Sequence, residues 1–72
     1  MMHRVNVCVD EQMACFVNGI LDMANRRDDM AGVRTEKCRF VLVCNGQASV
    51  QAAKRILENT FGNIGYTIEN YD

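Results

Sequence analysis

The thiol and imidazole side chains, the usual zinc ligands and a common nucleophile and base, are few: four cysteines, Cys8, Cys15, Cys38 and Cys44, and a single histidine, His3. Zinc sites draw on thiolates and imidazoles in close pairs such as Cys-x-x-Cys, and these cysteines form no such pair. A thiol or hydroxyl nucleophile needs a base that a third group holds on a rigid element. His3 is expected in a mobile terminus, where it is poorly placed for that role. No Gly-x-x-x-x-Gly-Lys or Gly-x-Gly-x-x-Gly run is present, so a phosphate loop has no support. Asn45-Gly46-Gln47-Ala48-Ser49 leads into a helix N-terminus, where free N–H groups can attract an anion, although a simple cap and turn uses the same residue types. The expectation is a protein that is not an enzyme, with no metal and no cofactor.

The balance of charge also excludes functions. Eight basic and nine acidic residues give a formal net charge of −1 over 72 residues, which offers no global attraction to nucleic acid or to an anionic membrane. Arg34, Lys37 and Arg39 outnumber Glu36 in the middle, whereas after Arg55 only Glu58, Glu69 and Asp72 carry charge. Interspersed charges of this kind are usual on solvated faces and on strand edges protected from pairing. No run approaches the ~18 apolar residues that cross a bilayer, and proline is absent. The chain begins Met-Met-His-Arg without the apolar run and cleavage site of a signal peptide, so a cytoplasmic protein with reduced thiols is expected.

The elements that must position these groups follow from hydrophobic spacing. Arg4-Val5-Asn6-Val7-Cys8-Val9-Asp10 alternates with period two and predicts a strand with Val5, Val7 and Val9 inward. From Glu11 to Arg27, Met13, Phe16, Val17, Ile20, Leu21 and Ala24 recur at helical spacing, with Asp10 as the N-cap and Gly19 as a possible break. A short strand over Ala31 to Thr35 and a turn at Glu36-Lys37 lead into the apolar strand Cys38 to Cys44, in which Cys38 and Cys44 share the parity of Phe40 and Leu42. Val50, Ala53, Ile56, Leu57 and Phe61 then predict a helix over Ser49 to Phe61. Ile64, Tyr66 and Ile68 predict the inward side of a last strand, Ile64 to Glu69.

The order predicts one α+β domain over residues 1–72: a ferredoxin-like βαββαβ two-layer sandwich, with an antiparallel sheet and both helices on one face. Without the second strand the chain becomes β-α-β-α-β with three strands. Parity then assigns the helix-free face: Arg4, Asn6 and Cys8, Val41 and Val43, and Thr67, Glu69 and Tyr71. An apolar centre there would be an association surface. The expected interface is Cys8, Val41, Val43 and Tyr71. A chain this short buries only ~60% of its unfolded surface, which makes self-association a natural support.

Two resemblances bear on function. The element order, the length and Asp10 after the first strand resemble an ACT domain, a ferredoxin-like small-molecule-sensing module that works as a dimer. That family has a glycine soon after the Asp, where Glu11-Gln12-Met13 stands here, so the resemblance implies a homodimer more than amino-acid binding. Phe40-Val41-Leu42-Val43-Cys44-Asn45-Gly46 followed by Ser49 to Leu57 resembles the last strand and helix of KH-type RNA-binding domains. The Gly-x-x-Gly clamp of that family is missing from Val17-Asn18-Gly19-Ile20-Leu21-Asp22. The reading is a small non-catalytic interaction or regulatory module, acting through the open sheet face or an edge strand on a protein partner or on another copy of itself. The alternative is a degenerate KH-like nucleic-acid binder using Arg34, Lys37, Arg39, Lys54 and Arg55.

Overall fold

A computed structural model of the chain describes residues 1–71. Asp72, counted above among the late acidic residues, lies outside them. The alternating valines form β1 (Met2–Val9), and the apolar run forms β3 (Arg39–Asn45). The second strand is present as β2 (Met30–Glu36), and β4 (Tyr66–Tyr71) closes the chain. The four strands make one antiparallel sheet in the order β2-β3-β1-β4, with α1 (Val17–Asn25) and α2 (Gln47–Phe61) as the crossovers. This is the α+β, ferredoxin-like βαββαβ arrangement.

The core is single-sided with respect to the sheet. Val5, Val7, Phe40, Leu42 and Cys44 project against Val17, Ile20 and Ala24 of α1 and Val50, Ala53 and Leu57 of α2. Every one of these is at most 1% exposed. Burial of each larger side chain contributes about 1.5–3 kcal/mol of hydrophobic free energy. At the start of α2, Gly46 takes φ +91°, a backbone state that glycine adopts without Cβ strain. Buried Ser49 donates its hydroxyl to the Asp29 carbonyl at 2.7 Å, and the Asn45 N–H donates to the same oxygen at 2.9 Å. The loop before β2 is thereby tied to the N-terminal end of α2.

The first helical region differs from its expected form. Residues Glu11–Phe16 wind as a 3-10 helix, and α geometry begins only at Val17. Asp10 stands at the N-cap position without a side-chain cap bond; its carbonyl accepts from the Met13 N–H at 2.8 Å. A 3-10 helix turns about 120° per residue against about 100° in an α-helix. Phe16 is therefore rotated out of the stripe that its spacing predicts and is exposed, meeting Phe61 edge-on. Gly19 does not break α1.

Two further corrections concern the ends of the sheet. His3 does not occupy a loose terminus: it lies in β1 opposite Cys44 and is only 8% exposed. Ile64 precedes β4 instead of starting it and is 73% exposed, and Ile68, opposite Val7 on an edge strand, is also exposed. Of the three residues expected inward there, only Tyr66 packs on the core, against Phe61.

Candidate functional site

The helix-free face of the sheet is a grid whose rows are set by the strand register. One row reads Ala31 on β2, Val43 on β3 and Arg4 on β1. The next reads Val33, Val41, Asn6 and, on β4, Asn70. The last reads Glu36, Arg39, Cys8 and Thr67. Directly opposed residues point to the same side. Ala31, Val33, Val41 and Val43 therefore form a continuous apolar patch on β2 and β3, while Arg4, Asn6, Cys8, Thr67 and Asn70 make the β1–β4 half polar except at its end, where Met2 is exposed opposite Asn45. Val33 is 53% exposed, and Val41 and Val43 are half-buried with no helix above them.

The polar half is organised around Arg39. Its Nε lies 3.6 Å from a carboxylate oxygen of both Glu36 and Glu69. A hydrogen bond with the Cys8 thiol, and then the charges of Glu69 and Glu36, hold the Arg39 pKa above its ordinary value. Asn6 donates its side-chain amide to Asn70 across β1 and β4. Asn6, Glu36, Arg39, Glu69 and Asn70 surround a depression that Thr35 and Phe40 also line.

The expected interface residues are only partly gathered. Val41 and Val43 lie on the open face. Cys8 lies there too, but opposite Arg39 in the polar row instead of beside Val43. Tyr71 does not reach this face. A β-bulge falls between the Asn6–Asn70 and Val7–Ile68 pairs, leaving Glu69 as the extra residue and reversing parity beyond it. Tyr71 is consequently opposite Val5, on the helix side. Its ring lies 5.7 Å from that of His3 and 5.4 Å from Lys54 Nζ, and its hydroxyl donates to Gln47 Oε1 at 2.8 Å. Ala31 and Val33 were missed as members of the patch, although the alternation of the short second strand carries that signal.

No protein-family model matches this chain, and no curated protein and no solved structure matches it.

The five basic residues of the nucleic-acid alternative are spread over several surfaces. Arg34 bridges to the Asn18 side chain and to the Lys37 carbonyl, and Lys37 pairs with Glu11 at 3.0 Å. Arg39 is on the open face between two carboxylates, Lys54 is over Tyr71, and Arg55 is exposed on α2. Among the described residues, no three His, Cys, Asp or Glu side chains lie close enough together to hold a metal ion. No helix is long and apolar enough to cross a membrane.

Both sheet edges are partly obstructed. On β2, the Gly32 N–H and C=O are both taken by the Asn25 side chain. On β4, the bulge interrupts the strand and Glu69 adds a negative charge, both of which discourage pairing with another chain.

Proposed function

We propose that this protein is a small non-catalytic interaction module that self-associates as a two-fold dimer through the open face of its sheet, in a regulatory role. The observation that carries this reading is the uncovered apolar patch of Ala31, Val33, Val41 and Val43. An exposed contiguous apolar surface on a small domain marks an association site. A two-fold axis lets the same patch meet itself. The face is favoured over an edge because Asn25 occupies the middle of the β2 edge and a bulge distorts β4. The nucleic-acid reading has less support, since four of its five basic residues are already engaged with side chains, a backbone carbonyl or an aromatic ring.

The size of the face sets the strength. Four strands about 4.8 Å apart, with a rise of about 3.3 Å over seven residues each, cover roughly 450 Å². Two copies then bury on the order of 900 Å², below the standard range for stable complexes. The dimer should be weak and concentration-dependent.

Sedimentation velocity over a hundredfold range of concentration tests this. The wild type should shift toward dimer as concentration rises, and Val41→Asp should hold it as monomer by placing a charge in the patch. Ile64→Lys, on a separate exposed residue, should leave the dimer intact. A wild type that stays monomeric throughout, or a dimer abolished by Ile64→Lys and not by Val41→Asp, would refute the open-face reading.

A further inference from the structure

Along one flank of α2, beside the chain that leaves α1, runs a groove of about 510 Å³. Its floor is Ala48, Ala52 and Ile56, and its polar rim is Arg27, Gln51, Arg55 and Asn59. Both sets follow helical spacing, with steps of four residues along α2, so the floor and rim form parallel ridges. The groove spans residues 48 to 59, a length of roughly 16 Å at 1.5 Å per residue.

The rim is rich in unused donors. Among the described residues, Arg55 is the one basic side chain without a hydrogen-bond, ion-pair or ring partner. The side chains of Gln51 and Asn59 likewise have no partner among the described residues. Arg27 uses Nε and one Nη2 donor on the Asp29 carboxylate, at 2.9 and 3.0 Å, which fixes its guanidinium and leaves Nη1 uncommitted.

From this arrangement we infer that the groove binds an acidic peptide segment of a partner protein, in extended form. The charge is complementary at Arg55, whose planar fork suits a carboxylate, while Arg27, its charge already balanced by Asp29, adds an Nη1 donor held in place. The amides of Gln51 and Asn59 suit a peptide backbone, and the alanine and isoleucine floor takes an apolar side chain. The length accommodates about five extended residues at about 3.3 Å each, more than a single small anion would need. A nucleic acid is less well matched, because one of the two cations is already neutralised by Asp29. The site is independent of the sheet face proposed for dimerisation.

The test is an NMR titration of the ¹⁵N-labelled full chain with the synthetic peptide Glu-Leu-Glu-Leu-Glu. The reversed-charge peptide Lys-Leu-Lys-Leu-Lys, inorganic phosphate and a single-stranded oligonucleotide serve as comparison arms. Saturable shifts confined to Arg27 and residues 48–59 are expected with the acidic peptide only. Arg55→Gln, at an exposed position without a partner, should keep the native spectrum and weaken binding about tenfold or more. Absence of saturable shifts overturns the proposal, as does equal binding by the basic peptide or by Arg55→Gln. Phosphate alone reproducing the shifts would reduce the site to a simple anion site, and tighter binding by the oligonucleotide would assign it to nucleic acid; either result also overturns it.

Discussion

Asn25 clasps the backbone of Gly32: its Oδ1 accepts from the Gly32 N–H at 2.9 Å, and its Nδ2 donates to the Gly32 carbonyl at 3.2 Å. The last residue of α1 thus acts as a one-residue substitute for a neighbouring strand and occupies the edge of β2 at its centre. The helix can come this close only because Gly32 has no side chain. A Cβ there would lie 2.8 Å from Leu21 Cδ2, 3.3 Å from the Leu21 Cα and 3.3 Å from Leu42 Cδ2.

Gly32→Ala should therefore destabilise the fold by about 1–3 kcal/mol, the usual range for overpacking, despite the better strand propensity of alanine. Asn25→Ala should cost about 0.5–1.5 kcal/mol for the lost hydrogen bonds. It should also promote association through the freed β2 edge. Urea denaturation measures the first two, and light scattering the third. A Gly32→Ala variant as stable as wild type would mean that α1 retreats from β2 without cost.

The cysteines should react in a definite order. Cys44 is fully buried, and burial pushes its thiol pKa up against a smaller opposing hydrogen bond with Ser49. The thiolate is the reactive form, so both inaccessibility and the raised pKa slow it. Cys15 is exposed, and Cys8 and Cys38 are half-buried. With Ellman's reagent at neutral pH, Cys15 should react first and Cys44 only at the rate of unfolding. Fast reaction of Cys44 in the native protein would contradict its placement.

Acid should weaken the loop before β2. A hydrogen bond from Arg27, reinforced by its charge, holds the Asp29 carboxyl below its ordinary pKa of 3.8. A carboxyl depressed in the folded state contributes stability that is complete above the unfolded pKa and is lost as pH falls through the folded value. Arg27 itself is raised by the same partner, so its own contribution is lost only in strong alkali, outside any working range. The melting temperature of Arg27→Gln should accordingly lie slightly below wild type at pH 5–7, and the two curves should converge below about pH 4. A gap that persists unchanged at low pH would mean the pair contributes nothing through charge.

Much of this architecture is written in local spacing. The alternation of Val5, Val7 and Val9, the apolar run through β3 and the helical spacing of Val50 to Phe61 each depend on residues a few positions apart, and each element forms where its period predicts. The parity of β3 likewise places Phe40, Leu42 and Cys44 inward and Val41 and Val43 outward. What the sequence could not set were quantities defined by distant segments. One unpaired residue at Glu69 reverses the parity of β4 and carries Tyr71 to the helix side, and that bulge exists only in the register between β1 and β4. The tight winding before Val17 turns Phe16 outward, although its spacing fits an α-helix equally well. Which valines join into one patch depends on β2 lying beside β3, and which cations remain unpaired depends on carboxylates far along the chain, as in Lys37 with Glu11. Periodicity decides which side of an element faces the core. Only pairing between elements decides which outward side chains meet.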